Sequence, residues 1–160
     1  MGRNYVMNNP CTENCRGEKM CSKEDKLAFE FFQKYAKLEC ALKRAGYLKK
    51  GGNVQADWTG FTQKIKFSID DICDRVHYIL KHPPKKQIRK YNTLEWEEDE
   101  EKDLIKLTQR IRNNLFHGGK YSGSPGSRNA KILEAGIVIL DYVIEKSDKT
   151  IKSYFQEASL

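Results

Sequence analysis

Apolar residues recur at intervals of three and four along most of this chain, and this spacing favours helices more than any other feature of the sequence does. Four segments carry the pattern, and none shows the convincing two-residue alternation of a half-buried strand. The first segment predicts a helix over residues 22–47 with Ser22 as its N-cap. Its apolar stripe consists of Phe31, Tyr35, Leu38 and Leu42.

The other three segments predict helices with recognisable limits. The second covers residues 61–79 and ends before Pro83 and Pro84, because proline cannot continue a helix. The third covers residues 104–115 and ends at Gly118 and Gly119. The fourth begins near residue 127 or 129 and continues towards Phe155. Together they predict an all-α fold, an antiparallel four-helix bundle.

Length and composition limit the number of domains. With 160 residues and 39% hydrophobic content the chain can close one core, so we expect one helical domain over residues 22–160 and a flexible N-terminal tail over residues 1–21. No run of about eighteen apolar residues occurs, and the tail lacks the apolar block of a secretory signal. We therefore expect a cytoplasmic protein without a membrane segment.

Three of the five cysteines lie in this tail. Cys11, Cys15 and Cys21 lack the paired-doublet spacing of a zinc site, and no fourth ligand accompanies them. An odd total also argues against the dense disulfide framework of small secreted proteins. We expect reduced thiols, no metal and no cofactor, with zinc binding by these three cysteines as the alternative.

The charge is segregated along the chain. The formal net charge of +7 suits a polyanion such as nucleic acid, and basic residues cluster over residues 81–90. A solvated loop is the simpler interpretation of this basic connector. An acidic run over residues 95–101 follows directly, and we expect it to occupy the first turns of the third helix, where the helix dipole favours negative charge.

The end of the third helix carries the residues with the most chemistry. Arg112 and Asn113 are followed by Asn114 and by His117, directly before the two glycines. On a regular helix Arg112 and His117 differ by about 140° in direction and about 7.5 Å along the axis. Either the helix unwinds after Phe116, or a homodimer presents two copies of the pair in one cleft.

Such a cleft has what RNA cleavage requires. RNA supplies its own nucleophile, the 2′-hydroxyl, so the protein needs a proton acceptor, a proton donor and a cation for the developing charge. His117 suits the proton transfers and Arg112 suits the phosphate, while the amide of Asn113 can orient either partner. The spacing alone is weak evidence, because Arg110 with His117 and Arg75 with His82 fit it almost as well.

Other residues have supporting interpretations. Lys120, Arg128 and Asn114 are candidate contacts to the RNA backbone. Glu39 can approach the site from the first helix, although a surface pair with Lys43 at a spacing of four is at least as good an interpretation.

These residues give the chain a resemblance to a known family. Arg112, the polar Asn113 and His117 at the end of a penultimate long helix, after a first helix that closes with Ala45-Gly46-Tyr47, resemble the HEPN superfamily. The resemblance implies a helical bundle, a composite site built by dimerisation, and metal-independent endoribonuclease activity in toxin–antitoxin or phage-defence systems, with an antitoxin protein as a partner. Other members are catalytically silent modules that bind RNA, a nucleotide or a partner protein, which is the alternative function.

Overall fold

The computed structural model describes residues 22–51, 54–65, 74–98, 100–116 and 126–158. The predicted N-terminal tail, with Cys11, Cys15 and Cys21, lies outside these ranges. Within them the chain forms helices and one hairpin: α1 Lys23–Arg44, α2 Trp58–Thr62, α3 Asp74–Lys81, β1 Lys86–Lys90, β2 Thr93–Glu97, α4 Leu104–Phe116, α5 Gly126–Lys146 and α6 Lys149–Glu157. The all-α prediction is therefore wrong, and the helices do not form the simple four-helix bundle expected.

Helix α1 confirms the first predicted helix. Ser22 is its N-cap, and a capping box is complete because the Ser22 hydroxyl accepts from the Asp25 backbone N–H while the Asp25 carboxylate accepts from the Ser22 backbone N–H. The predicted stripe is buried in the core. The chain leaves the helix at Gly46, whose φ of 87° lies in the left-handed region that glycine adopts without strain.

The second predicted helix is wrong as a single element. Helix α2 ends at Thr62 and turns follow it, while α3 begins at Asp74. Phe61 and Ile79, expected on one helical face, are both buried but belong to these two separate helices. Residues 66–73, which were part of the prediction, lie outside the described ranges.

The hairpin β1–β2 occupies the segment for which no strand was predicted. Its strands are antiparallel, with Lys86 opposite Glu97 and Lys90 opposite Thr93. The acidic run therefore lies partly in β2, and the expectation that it occupies the first turns of α4 is wrong. Instead the Asp103 carboxylate accepts hydrogen bonds from the backbone N–H groups at the start of α4.

The fourth predicted helix is divided in two. Helix α5 ends at Lys146, and Asp148 starts α6 because its side chain accepts from the Ile151 backbone N–H at 2.9 Å. The Ser147 hydroxyl donates to the Val143 carbonyl at 2.7 Å, which satisfies a buried hydroxyl at the break. The apolar spacing continues across the break, so the core is maintained although the helix is not.

Helices α1, α4 and α5 meet in the core around Gly136. A Cβ atom on Gly136 of α5 would lie 2.8 Å from the Phe31 ring and 2.8 Å from Ile111. Both of these side chains are buried, so the three helices approach each other more closely than any larger residue permits. Ile111 of this junction directly precedes Arg112 on α4. No helix in the described ranges is long and apolar enough to cross a bilayer.

Candidate functional site

Arg112 lies half-buried near the C-terminal end of α4, in contact with two aromatic rings. Its guanidinium carbon is 4.6 Å from the centroid of the Phe116 ring and 6.0 Å from that of Tyr35. Phe116 is one helical turn further along α4, whereas Tyr35 projects from α1. The aromatic contacts hold the cation at the surface without neutralising its charge.

The guanidinium also has a polar neighbour. One of its nitrogens donates to the side-chain oxygen of Asn113 at 3.1 Å, and Asn113 is exposed. Within the described part of the chain, no carboxylate lies within ion-pairing distance of Arg112. The structure thus brings together Arg112 and Asn113, two of the three predicted catalytic residues, and among the described side chains only Asn113 accepts a hydrogen bond from the guanidinium.

His117 and Lys120 lie outside the residues that the structure describes, which end at Phe116 and begin again at residue 126. Their predicted roles as the acid–base group and as an RNA contact stay predictions. Phe116, the residue that precedes His117 in the sequence, lies in the final turn of α4.

Tyr35 and Glu39 line the inner side of the site on α1. Burial raises the pKa of Tyr35 well above its ordinary value, the nearby Glu39 carboxylate raises it further, and Arg112 opposes both. The phenol is therefore neutral at physiological pH and unsuited to act as a base. Glu39 itself pairs with Lys43 at 2.8 Å, as the surface-pair interpretation expected.

Two of the predicted RNA contacts hold the backbone in place. The Asn114 side-chain amide donates to the Lys85 carbonyl at 2.9 Å, and the Arg128 guanidinium donates to the Pro83 carbonyl at 2.8 Å. The end of α4 and the start of α5 are thereby tied to the segment that leads into the hairpin. Arg128 retains further donors, so its contact with RNA stays a prediction.

Two of the five Lys and Arg residues of the basic connector form ion pairs in the hairpin. Lys85 pairs with Glu98 at 3.0 Å and Lys90 pairs with Glu95 at 3.6 Å. Arg89 donates to the Tyr91 carbonyl and to the Asn92 side chain in the turn. The basic and the acidic run of the sequence thus face each other in the hairpin and form ion pairs there, which was not predicted from the sequence.

Aromatic residues around Arg112 were also missed by the sequence analysis. Phe32 contacts Phe116 with ring centroids 5.3 Å apart, and Phe29 on the same face of α1 is 62% exposed. The available signals were the four-residue spacing of Arg112 and Phe116 and the position of Phe29 and Phe32 outside the buried stripe. No group of metal-binding side chains occurs in the described ranges.

Comparisons of the chain with family models, with curated proteins and with solved structures gave no match. The resemblance to the HEPN superfamily therefore rests on the motif and on the order of helices quoted above.

Proposed function

We propose that the protein is a metal-independent endoribonuclease in which Arg112 binds the scissile phosphate, His117 transfers protons and Asn113 orients the phosphate. The observation that carries this proposal is the state of Arg112. Its guanidinium is half-buried on aromatic rings, bonded to Asn113, and without a carboxylate partner among the described residues. A cation held in this way is prepared for an anionic ligand.

The reaction needs no group beyond these side chains and the substrate. The 2′-oxygen forms a bond to phosphorus while the bond from phosphorus to the 5′-oxygen breaks, which yields a cyclic 2′,3′-phosphate and a 5′-hydroxyl. A neutral imidazole takes the proton of the 2′-hydroxyl, and an imidazolium gives a proton to the leaving oxygen. Arg112 stabilises the negative charge that develops on the phosphoryl oxygens.

Two imidazoles are supplied by two copies of the chain. Arg112 and His117 point about 140° apart on a regular helix, so a homodimer whose two-fold axis passes the end of α4 provides both pairs in one cleft. From the family resemblance we infer that the protein acts as a toxin or a phage-defence effector and that an antitoxin protein restrains it.

The test is cleavage of RNA by the purified protein in EDTA. Wild type should cleave, whereas His117→Ala and Arg112→Ala should not. Arg112→Lys keeps the charge but loses the paired donors, so it should retain only a small part of the rate. The matched control is Arg75→Ala, which removes the exposed arginine of the competing Arg75–His82 pair and should leave the rate unchanged.

Two outcomes contradict the proposal. Cleavage that persists in both Arg112→Ala and His117→Ala assigns the activity to other residues or to a contaminant. A folded, dimeric wild type that does not cleave leaves the catalytically silent binding module as the function.

A further inference from the structure

Phe32 and Phe116 form an aromatic pair beside Arg112, and together with Phe29, one turn away on the same face of α1 as Phe32, they make up an aromatic patch. Phe29 and Phe32 come from α1 and Phe116 comes from α4. Phe29 is 62% exposed, Phe116 is 53% exposed, and Phe32 is half-buried with its ring centroid 5.3 Å from that of Phe116. Isolated surface phenylalanines need no explanation, but two exposed rings, one of them in contact with a cation, do.

The patch and Arg112 form one continuous surface. The guanidinium carbon lies 4.6 Å from the Phe116 centroid, so the planar cation and the ring are neighbours within one helical turn. An arginine beside exposed rings is the combination that single-stranded nucleic acid uses, since the cation binds a phosphate while a base stacks on the ring. A phosphate on Arg112 would leave an adjacent base within reach of Phe116.

The exposed area is too small for the patch to be the core of a protein interface. An aromatic side chain buries about 150–250 Å² in full, so two rings that are a little over half exposed offer on the order of 200 Å². A stable interface needs about 800 Å² from each partner. The proposed dimer therefore needs other surface, and this patch fits a smaller occupant.

We propose that Phe29 and Phe116, supported by Phe32, stack a nucleobase of the RNA next to the phosphate held by Arg112. This inference rests on the proposed function in so far as RNA must bind at Arg112. It adds the residues that hold the base and predicts that affinity depends on the base as well as on the sugar–phosphate backbone.

The experiment measures binding of an oligonucleotide that cannot be cleaved. A fully 2′-O-methylated RNA lacks the nucleophile, so its binding to the wild-type protein by fluorescence anisotropy is independent of catalysis. Phe116→Leu keeps an apolar side chain but removes the ring, and we expect it to weaken binding about 5- to 150-fold. Phe29→Leu should weaken binding to a smaller extent, and Phe116→Tyr should restore it because it retains a ring.

Two controls separate stacking from other causes. Tyr91→Leu removes an aromatic ring of 89% exposure from the turn of the hairpin and should not change affinity. An oligomer of abasic sugar phosphates should bind wild type and Phe116→Leu equally, because it carries phosphates without bases.

Two of the remaining outcomes overturn the inference, and a third overturns the proposed nuclease instead. Equal affinity of wild type, Phe29→Leu and Phe116→Leu for the methylated RNA shows that no base stacks on the patch. Loss of the dimer in Phe116→Leu, measured by sedimentation together with the loss of affinity, assigns the patch to contact between two copies. Binding that depends on Phe116 without cleavage of ordinary RNA contradicts the proposed nuclease and leaves the stacking site standing.

Discussion

The end of α4 and the β1–β2 hairpin both carry positive charge, yet the surroundings of that charge differ between them. In the hairpin Lys85 and Lys90 each have a carboxylate partner across the strands. At the end of α4 Arg112 contacts two rings and an amide, and has no such partner in the described ranges. The number of charges along the sequence favours the hairpin as the polyanion site, whereas the aromatic contacts of Arg112 favour the end of α4.

The largest expected effect is on the rate of RNA cleavage, and it distinguishes Arg112 from Arg89. Arg112→Ala should lower kcat/KM for RNA by about 10²–10³-fold, because a group that stabilises the developing charge is lost. Arg89→Ala should change it by less than about threefold, because Arg89 bonds to its own turn and not to substrate. Similar losses in both variants would mean that the hairpin belongs to the active surface.

The next difference is in stability, between two adjacent asparagines. Asn114→Ala should lower the free energy of unfolding by about 1–2 kcal/mol in urea titrations, since it leaves the partly buried Lys85 carbonyl without its donor. Asn113→Ala should change it by less than about 0.5 kcal/mol but should reduce cleavage, since its side chain is exposed and contacts Arg112. Equal free energies of unfolding for Asn114→Ala and Asn113→Ala would contradict these different roles.

A smaller effect is expected in the turn of the hairpin. Tyr91 has a φ of 56°, a conformation that costs a non-glycine residue about 1 kcal/mol. Tyr91→Gly should therefore stabilise the hairpin by about 0.5–1 kcal/mol, seen as slower amide hydrogen exchange in residues 86–97. Asn92→Gly is the control and should give no gain, because Asn92 does not have a positive φ.

The smallest effect concerns the paired lysines. Exposed ion pairs contribute about 0.2–1 kcal/mol, so Glu95→Gln combined with Glu98→Gln should barely change stability. The double variant makes Lys85 and Lys90 available, and RNA affinity at low salt should rise by no more than about threefold. A rise of about tenfold or more would show that the hairpin lies against the RNA.

The sequence predicted the helices whose local signals agree with each other. Helix α1 has an N-cap, a capping box and an unbroken stripe, and α4 has the expected apolar face. The division between α5 and α6 was missed because the apolar spacing continues through it. The local signal for the break is Asp148, which acts as the N-cap of α6. The apolar pattern on both sides of Asp148 favours an unbroken helix instead.

The hairpin could not be predicted from local pattern. Each strand has only five residues, and charged side chains are more prominent in it than an alternation of apolar and polar residues. The turn also places Tyr91 at a position where glycine or asparagine is usual. Likewise Arg112 and Asn113 were predicted as site residues, but the approach of Phe32 to Phe116 depends on how α1 packs against α4. Contacts between distant segments follow from the tertiary fold.

The junction at Gly136 restricts how this protein can change over evolutionary time. A methyl group there would collide with both the Phe31 ring and Ile111, so a substitution at residue 136 requires both of these side chains to shift or to become smaller. Distant relatives should therefore show these three positions varying in concert. That coupled variation offers a way to recognise them where overall similarity has faded.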